Sequence, residues 1–480
     1  MTQQRPRLSD AWVGMSRKLL PFADAASDDL PLGRLLRLSL FQVCAGMALT
    51  LLTGTLNRVM IVELSVPAWL VALMLALPLF AAPFRALIGH RSDTHRSVLG
   101  WRRGPYIWFG SVFMFGGLAI MPFTLILLSG ATTGPYWMGQ LGAAIAFLLV
   151  GAGLHTTQTA GLALATDLAP EKDRPRVVAL LYLMLLVGMG VSALIYGWLL
   201  TDFSQVKLIK VIQGSAVVAI ALNMIALWKQ EAKSAAVLDM TTERPSFGQA
   251  WRRLMDDPKS KRLLVSVGLG TMAFSMQDIL LEPYGAEILA MTVSETTRLT
   301  AVFATGTLLG FGVAARRLSK QGDPHRLAAM GLMIGVMAFS MVIFAEPFES
   351  SALFQAGTFF IGLGGGLFSV CMLTSAMSLS NTTDSGIALG AWGAVQATAA
   401  GIALFLGGAL KDGFEALFQS GNFGPALSQH AIGYSAVYHI EIFLLFLSLA
   451  VLGPIVRYSP AAESSPPQQN SKFGLAAFPE

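Results

Sequence analysis

The feature that most constrains this chain is a series of long apolar segments, each able to cross a lipid bilayer. A membrane-spanning helix needs about 20 consecutive, mostly apolar residues. Such segments fold as helices, because a bilayer offers no water to satisfy the backbone polar groups. The sequence therefore predicts an all-α membrane protein with twelve transmembrane helices, at 37–62, 67–88, 104–128, 136–166, 177–200, 208–228, 263–289, 297–315, 327–344, 352–379, 385–410 and 434–456.

The basic residues are sorted by side of the predicted membrane. An even number of spans places both termini on the same side. If that side is the cytoplasm, 28 of the 33 lysine and arginine residues fall in cytoplasmic segments. Such an excess is the usual mark of cytoplasmic loops. We therefore expect both termini in the cytoplasm, with polar tails at 1–35 and 458–480, and one long periplasmic loop at 411–433.

Composition excludes several classes of protein. Only 13% of the residues are charged, whereas soluble domains average about a quarter. The net charge of +5 does not indicate nucleic-acid binding, because the basic residues follow the membrane topology. Cys44 and Cys371 both lie in apolar segments, so the sequence predicts neither a disulfide framework nor a metal site.

The longest predicted cytoplasmic loop, at 229–262, divides the chain into two parts with six spans each. We expect six-helix bundles at 36–228 and 263–457. A weak internal repeat supports this division, because Gly89 and Gly310 each precede an arginine-containing loop and lie 221 residues apart. Two related halves are a common construction among secondary transporters.

The loop between the second and third spans, GHRSDTHRSVLGWRR, combines two glycines, one acid and several arginines. A glycine can end a helix cheaply, an aspartate can cap the next turn or pair with an arginine, and arginines hold a loop in the cytoplasm. The loop resembles a signature of the major facilitator superfamily at five positions: Gly89, Asp93, Gly100, Arg102 and Arg103. This resemblance implies the fold of that superfamily, twelve transmembrane helices in two bundles.

Ionisable side chains inside predicted spans are costly and are therefore candidates for function. The seventh span carries Gln277, Asp278 and Glu282, and the two acids share one face if the helix is regular. Arg58 in the first span lies at a similar predicted depth. We therefore expect Arg58 to interact with Asp278 or Glu282 across the two halves. Two interpretations stay open: a static ion pair that holds the halves together, or a proton relay.

The fourth span carries a histidine near mid-membrane. His155 lies 12 residues before Asp167, or about 18 Å along a helix. A neutral imidazole can bind the magnesium of a chlorophyll, and Gly151, one turn away, would leave room for a flat macrocycle. Light-harvesting polypeptides use the same spacing. Alternatively, His155 is a buried histidine that forms a hydrogen bond with Gln158 or Thr159, and the glycines serve helix packing.

Two glycine-rich stretches, at 362–368 and 386–401, invite a nucleotide-loop interpretation. Both lie inside apolar spans without a preceding strand, so helix packing is their expected role. Gln396 in the second stretch is a further candidate pigment contact. The sequence shows no Walker loop, no catalytic-triad context and no clustered metal ligands. We therefore expect a protein without enzymatic activity.

Several stretches together resemble one family. They are LNRVMIVELSVPAWLVA at 56–72, the arginine loop, HTTQTAGLALATDLAPEKDRPRVVALLY at 155–182, QDILLEPYGAEIL at 277–289 and GIALGAWGAVQATAAG at 386–401. The family they resemble is the PucC and LhaA group of light-harvesting complex assembly proteins. This group is also described as bacteriochlorophyll delivery proteins and belongs to the major facilitator superfamily. The similarity extends from the first to the eleventh predicted span.

The resemblance implies a role in assembling light-harvesting 1 or 2 in the inner (intracytoplasmic) membrane of a purple phototrophic bacterium. It implies bacteriochlorophyll as bound pigment, with carotenoid as a second candidate. The expected partners are the light-harvesting α and β polypeptides. Further candidates are the reaction centre and the pigment-synthesis or insertion machinery. Two alternatives stay open: a proton-coupled solute transporter in which Asp278, Glu282 and Arg58 titrate, and a scaffold that binds antenna helices without pigment.

Overall fold

The computed structural model of the protein describes residues 30–80, 103–129, 135–170, 174–230, 256–318, 320, 322–379, 385–419 and 431–458. Throughout these ranges the regular structure is helical, without a strand. Among these residues, eleven helices are long and apolar enough to cross a membrane, and a shorter apolar helix stands at the second predicted span. The protein is therefore an all-α, multi-pass membrane protein.

The described residues form twelve helical elements, which we number in chain order. The N-terminal half contains α1 (Leu32–Glu63), α2 (Ala68–Phe80), α3 (Gly104–Leu128), α4 (Tyr136–Leu168), α5 (Arg174–Leu199) and α6 (Gln205–Leu227). The C-terminal half contains α7 (Pro258–Glu287), α8 (Val293–Leu318), α9 (Pro324–Ala345), α10 (Ser351–Leu379), α11 (Ser385–Gln419) and α12 (Ala431–Tyr458). Each element stands where a span was predicted.

The largest difference from the predicted helix limits is at the end of α11. The helix continues to Gln419, so the expectation that a periplasmic loop begins at residue 411 was wrong. Side-chain pairs four residues apart stabilise the additional turns. Lys411 Nζ lies 2.7 Å from Glu415 Oε2, and the rings of Phe414 and Phe418 stack with their centroids 6.2 Å apart.

The first helix of each half departs from α-helical geometry. The first helix, α1, contains π-helical turns at Thr50–Leu56 and Val59–Glu63. In the second half, α7 contains a 3₁₀ turn at Met276–Ile279. Irregular turns of both kinds are frequent at functional sites. Here they lie beside the ionisable residues that the sequence singled out, since Arg58 stands between the π turns and Asp278 lies within the 3₁₀ turn.

Helix packing follows the same plan in both halves. In the N-terminal half α3 packs against α4 and α6, and α1 packs against α5. In the C-terminal half α9 packs against α10 and α12, and α7 packs against α11. Between the halves, α2 packs against α11 and α5 against α8. Each of these contacts has a counterpart six helices later, which is the pattern of two related halves.

Equivalent glycines let equivalent helices approach closely. A Cβ atom at Gly110 of α3 would lie 2.8 Å from the carbonyl oxygen of Gly153 in α4. A Cβ atom at Gly331 of α9 would lie 2.7 Å from the carbonyl oxygen of Gly364 in α10. Helices in a membrane approach this closely where small residues line the contact. Gly110 and Gly331 are 221 residues apart, the same offset as the two predicted loop glycines.

The outer surface carries large apolar and aromatic side chains. Trp198 is 72% exposed, Phe123 is 64% exposed and Trp137 is 60% exposed. In water, an extended surface of this kind would promote association. Lipid tails are as apolar as the side chains themselves, so the same surface is compatible with a bilayer. The exposed aromatic residues therefore agree with the transmembrane assignment of the helices.

Candidate functional site at the contact between the halves

Glu282 of α7 lies where the two halves meet and is 5% exposed. Its Oε1 accepts a hydrogen bond of 2.8 Å from the hydroxyl of Thr300 in α8. A Cβ atom at Gly54 of α1 would lie 2.7 Å from the same oxygen, so the glycine makes room for the carboxyl group. In the described part of the chain, Oε2 has no hydrogen-bond partner. Glu282 is thus a buried acid held between α1 and α8.

Arg58 is 5% exposed and forms an ion pair with Glu63 of the same helix, with 2.5 Å between Nη1 and Oε1. The π-helical turns explain this pair, because hydrogen bonding from i to i+5 brings residues five apart onto one face. Arg58 also interacts electrostatically with Glu282. The direct partner of Arg58 is therefore Glu63, which α-helical spacing did not indicate, and its coupling to Glu282 stays a prediction for mutagenesis.

The 3₁₀ turn of α7 gives Asp278 and Glu282 different neighbours. A regular helix would have placed both acids on one face. Instead, Asp278 Oδ1 accepts a hydrogen bond from the side-chain amide of Gln277, and its carboxyl group acts electrostatically on Glu441 of α12. The expectation that Asp278 and Glu282 share one helix face assumed a regular helix, and the helix changes its geometry at Met276–Ile279.

Glu441 was not among the predicted site residues. It is 0% exposed and lies in the stretch HIEIF within the twelfth predicted span. The rule that selected Asp278 and Glu282, that an ionisable group inside a span is a functional candidate, applies equally to Glu441. The sequence therefore contained the signal for this residue, although only the structure shows its neighbours.

Neutral hydrogen bonds connect the halves around these acids. The side-chain amide of Asn57 in α1 donates to the carbonyl oxygen of Ile279 in α7 at 3.0 Å. The hydroxyl of Ser294 in α8 donates to the carbonyl oxygen of Gly197 in α5 at 2.5 Å. Both bonds end on the backbone, so they fix the relative position of the helices without adding charge.

A cavity of about 510 Å³ lies between α1 and α2 of one half and α7 and α11 of the other. Lys411 at its wall is only 6% exposed and stands 5.0 Å from the ring centroid of Tyr434. The side chain of Asp412 accepts a hydrogen bond of 2.8 Å from the backbone N–H of Trp69, across the halves. These residues close the predicted periplasmic end of the contact, and the sequence interpretation had assigned Lys411 and Asp412 to a loop.

His155 lies on α4 and is partly exposed, with Gln158 and Thr159 about one turn later in the same helix. Gln158 donates its side-chain amide to the amide oxygen of Gln42 in α1 at 3.2 Å. The hydroxyl of Thr159 donates to the backbone carbonyl oxygen of His155 at 2.7 Å. The amide nitrogen of Gln42 is buried and has no hydrogen-bond partner in the described part of the chain. One buried donor at this site is therefore available to a ligand.

Gly151 does not provide open space. The ring of Pro78 in α2 occupies the place that a side chain at position 151 would take. The expectation that Gly151 leaves room for a macrocycle was therefore wrong, because α2 packs against α4 at this point. Any flat ligand of His155 must lie away from α2. Gln396 is partly exposed on α11, and its contact with pigment stays a prediction.

Of the five residues in the predicted loop signature, the structure describes Arg103. Its side chain is 7% exposed, and Nε donates to Asp167 Oδ2 at 3.1 Å. This pair joins the start of α3 to the end of α4, on the side predicted to be cytoplasmic. The remaining positions lie outside the described residues: Gly89, Asp93, Gly100 and Arg102.

Comparison with known proteins identifies the family. The family described as PUCC protein matches residues 55–459. The chain belongs to the PUCC family. Among its relatives, "Uncharacterized protein in puhA-bchM intergenic region" of Rhodobacter capsulatus is 55% identical over 475 residues, which cover 98% of this chain and 99% of the relative. "Protein PucC" of Cereibacter sphaeroides is 50% identical over 459 residues, covering 95% and 99%.

A more distant relative of this PUCC protein is "Bacteriochlorophyll synthase 44.5 kDa chain" of Rhodobacter capsulatus. It is 27% identical over 389 residues, covering 79% of this chain and 87% of the relative. Together with the PUCC match, these relatives support a role in the photosynthetic apparatus.

Solved structures share the fold of the PUCC protein. A bacterial homolog of the human lysosomal transporter Spinster has a TM-score of 0.66 at 15% identity, covering 89% of this chain and 98% of the other. A bacterial homologue of the iron transporter ferroportin has a TM-score of 0.65 at 14% identity, covering 88% and 98%. At these identities the likeness shows the fold alone, and it confirms the predicted major facilitator superfamily fold.

Proposed function

We propose that this protein is an assembly factor for bacterial light-harvesting antenna complexes, which binds bacteriochlorophyll and delivers it to antenna polypeptides. Membership of the PUCC family, with a match over residues 55–459, is the observation that carries this proposal. The name of the relative at 27% identity, which refers to bacteriochlorophyll, points to the same pigment. Light-harvesting 1 and light-harvesting 2 are both candidate clients, and carotenoid is a second candidate pigment.

The chemistry around His155 fits a pigment that carries magnesium. Bacteriochlorophyll would supply a magnesium ion that binds a nitrogen ligand, and carbonyl groups that accept hydrogen bonds. His155 would provide the nitrogen ligand, since a neutral imidazole can bind magnesium and the side chain is partly exposed on α4. The unpartnered amide of Gln42 would donate to a carbonyl group, because a buried donor without a partner is costly. Gln158 would hold Gln42 in place.

Substitution of two histidines tests this proposal. His155→Leu removes the nitrogen ligand and keeps apolar volume, whereas His439→Leu changes an exposed histidine of α12 and serves as a matched control. We expect the protein purified from a phototrophic host to lose bound bacteriochlorophyll in the first variant and to retain it in the second. The absorption spectrum, divided by the protein concentration, measures this. Equal pigment in wild type and His155→Leu would exclude pigment binding at His155.

The proposed partners are the light-harvesting α and β polypeptides, with the reaction centre and the pigment-synthesis or insertion machinery as further candidates. The exposed aromatic residues of the outer surface offer a membrane-embedded face to such helices. Affinity purification from host membranes, compared with a strain that lacks the antenna polypeptides, tests direct association. We also propose an inner-membrane location with both termini in the cytoplasm, which reporter fusions at either end check.

A proton-coupled solute transporter is the second candidate function. One observation favours it: the buried acid Glu282 lies at the contact between the two halves. In transporters of this fold, this contact changes during transport. Under this proposal Glu282→Gln would abolish solute uptake driven by a pH gradient in proteoliposomes. Under the assembly proposal the same variant keeps its bound pigment, so the two measurements distinguish the functions.

A further inference from the structure

Glu441 is a buried acid with no role in the proposed function. It lies ten residues into α12, or about 15 Å along the helix from its first residue. The side chain is 0% exposed. Neither carboxyl oxygen has a hydrogen-bond partner of normal geometry in the described part of the chain, although the backbone N–H of Gln277 in α7 faces the group.

Two further side chains of α7 and α12 each have a buried polar atom without a hydrogen-bond partner among the described residues. Tyr438, one turn earlier in α12, is 0% exposed, has an unpartnered hydroxyl and interacts electrostatically with Glu441. Gln277 is 1% exposed and donates its amide to Asp278 Oδ1, which leaves its own amide oxygen unpartnered. Several buried groups of α7 and α12 thus converge on one place with their hydrogen bonds incomplete.

Other charged groups nearby are directed elsewhere. Among the described residues, Asp278 and Glu441 form no ion pair with a basic side chain. Arg58 of α1 pairs with Glu63, and Glu282 binds Thr300 of α8. His439 is exposed, and its ring binds the carbonyl oxygen of Ser435. The other helices that pack against α12 are α9 and α11. There Arg326 of α9 pairs with Asp323, and Lys411 of α11 pairs with Glu415.

Aromatic rings pack around Tyr438, one turn from Glu441. Tyr438 packs edge-on against Tyr284 of α7, with their centroids 5.6 Å apart, and lies 6.2 Å from Phe339 of α9. Asp278 is the partly exposed member of the acidic pair, and Glu441 is the enclosed one. Asp278 is thus the more accessible of the two acids.

An ionised carboxylate is unfavourable in such surroundings unless something neutralises it. A second carboxylate beside it adds like-charge repulsion. A metal cation would need about six oxygen ligands, and no group of three or more acidic, histidine or cysteine side chains suited to a metal exists among the described residues. A proton needs only one acceptor, and it converts a carboxyl oxygen into a donor for an unpartnered acceptor such as the amide oxygen of Gln277.

We propose that Glu441 and Asp278 form a proton-binding site in the C-terminal half, which holds a proton at neutral pH. The proton resides on Glu441 and exchanges with solution through Asp278. Gln277 orients Asp278 through its amide and offers its oxygen to the protonated carboxyl group. This site is independent of the pigment at His155, so it stands or fails separately from the assembly function.

Infrared spectroscopy of the purified full-length protein tests the site, because a protonated carboxyl group has a carbonyl band separate from that of a carboxylate. At neutral pH we expect a protonated-carboxyl band in the wild type. The band should be lost in Glu441→Gln and shifted in Asp278→Asn. Asp202→Asn, which changes a side chain that is 92% exposed, is the control and should leave the band unchanged.

A wild-type spectrum without the band at neutral pH would overturn the proposal, and so would an unchanged band in Glu441→Gln. A band that is lost in Glu441→Gln but unshifted in Asp278→Asn would overturn the shared site. A stability measurement provides a second test, because a proton held by the folded state alone makes stability fall as pH rises. The unfolding temperature of Glu441→Gln should therefore fall less with rising pH than that of the wild type. An equal fall in both proteins would contradict the proposed site.

Discussion

The two halves of the protein pack alike but differ in the chemistry of their interiors. Glycines bring α3 close to α4 in the first half and α9 close to α10 in the second. The buried polar groups do not repeat. Among the described residues, the buried acids Glu282 and Glu441 both lie in the second half, whereas the first half buries amides such as Gln42 and Asn223 and no acid.

This difference separates the requirements of folding from those of function. Close helix packing depends on backbone geometry, which any substitution of the contacting glycines disturbs. A buried polar group contributes little to packing and is retained where it serves binding or proton transfer. Functional residues are therefore expected at the positions where the halves differ. These positions are His155 with its nearby amides in the first half, and Glu441 with Asp278 in the second.

The largest effect is expected from the glycines that the halves share. Gly110→Ala and Gly331→Ala each place a methyl group within 3 Å of a carbonyl oxygen of the facing helix. We expect each to destabilise the protein by about 3 kcal/mol, the upper end for overpacking, because backbone cannot move aside as a side chain can. Thermal unfolding in detergent measures this.

The controls for this pair are Gly116→Ala in α3 and Gly312→Ala in α8, where a Cβ atom meets nothing within 4 Å. Both should be neutral or stabilising by up to about 1 kcal/mol, since alanine favours a helix over glycine. A loss confined to one of the two halves would break the packing equivalence.

The two contacts between the halves should differ in their sensitivity to substitution of glycine by alanine. A Cβ atom at Gly408 of α11 would lie 2.6 Å from the carbonyl oxygen of Ala68 in α2, whereas at Gly197 of α5 it would first meet the side chain of Arg298. We expect Gly408→Ala to weaken its contact by about 2 kcal/mol, and Gly197→Ala to have little effect. Position 66 is 1% exposed at the cavity wall. The rate of maleimide labelling of Val66→Cys therefore reports how often the contact between α2 and α11 opens. Equal labelling in both backgrounds would contradict the asymmetry.

A double-mutant cycle asks which acid is coupled to Arg58. Arg58→Ala should lower the free energy of unfolding by about 1.5–2 kcal/mol, the lower part of the range for a hydrogen bond to a charged group. The effect is at the lower end because Glu63 is 37% exposed and is solvated when left alone. The loss should be largely absent when Glu63→Gln is already present. Urea unfolding of the single and double variants gives the coupling energies. A larger coupling energy between Arg58→Ala and Glu282→Gln than between Arg58→Ala and Glu63→Gln would support the predicted interaction across the halves.

The smallest expected effect concerns the start of the two equivalent helices α1 and α7. The carboxyl group of Asp257 accepts hydrogen bonds from the backbone N–H groups of Lys259 and Ser260, while α1 begins after Pro31 without a side-chain cap. Asp257→Ala should cost about 1 kcal/mol. Asp256→Ala, an exposed acid beside the cap, is the control and should change little. Thermal unfolding at neutral pH compares them.

The same cap has a defined pH dependence. The Ser260 hydroxyl, which donates to the Asp257 carboxylate, holds the pKa of this carboxyl group below its ordinary value. A lowered folded-state pKa means that the stabilisation is complete above the unfolded pKa and is lost as pH falls through the folded one. Asp257→Asn keeps a capping oxygen, so it should remove this acid-dependent loss. If Asp257→Asn loses as much stability at low pH as the wild type does, the loss arises from other carboxyl groups.

The sequence by itself determined the number of helices, their approximate limits and the family. This was possible because a span is recognised from local composition, and each of the twelve elements stands where its apolar segment predicted it. The family followed from residues that are contiguous in the chain, such as QDILLEPYGAEIL. Neither conclusion depends on which helix lies beside which.

Only the tertiary structure decided the partners of the buried polar residues. Glu63 replaced the predicted acids beside Arg58 because α1 winds into π turns there. Pro78 filled the space beside Gly151 because α2 packs on α4. Asp278 acts electrostatically on Glu441, although the two residues lie on helices far apart in the chain. Such contacts depend on helix irregularity and on long-range packing, and neither is encoded in the spacing of residues along one segment.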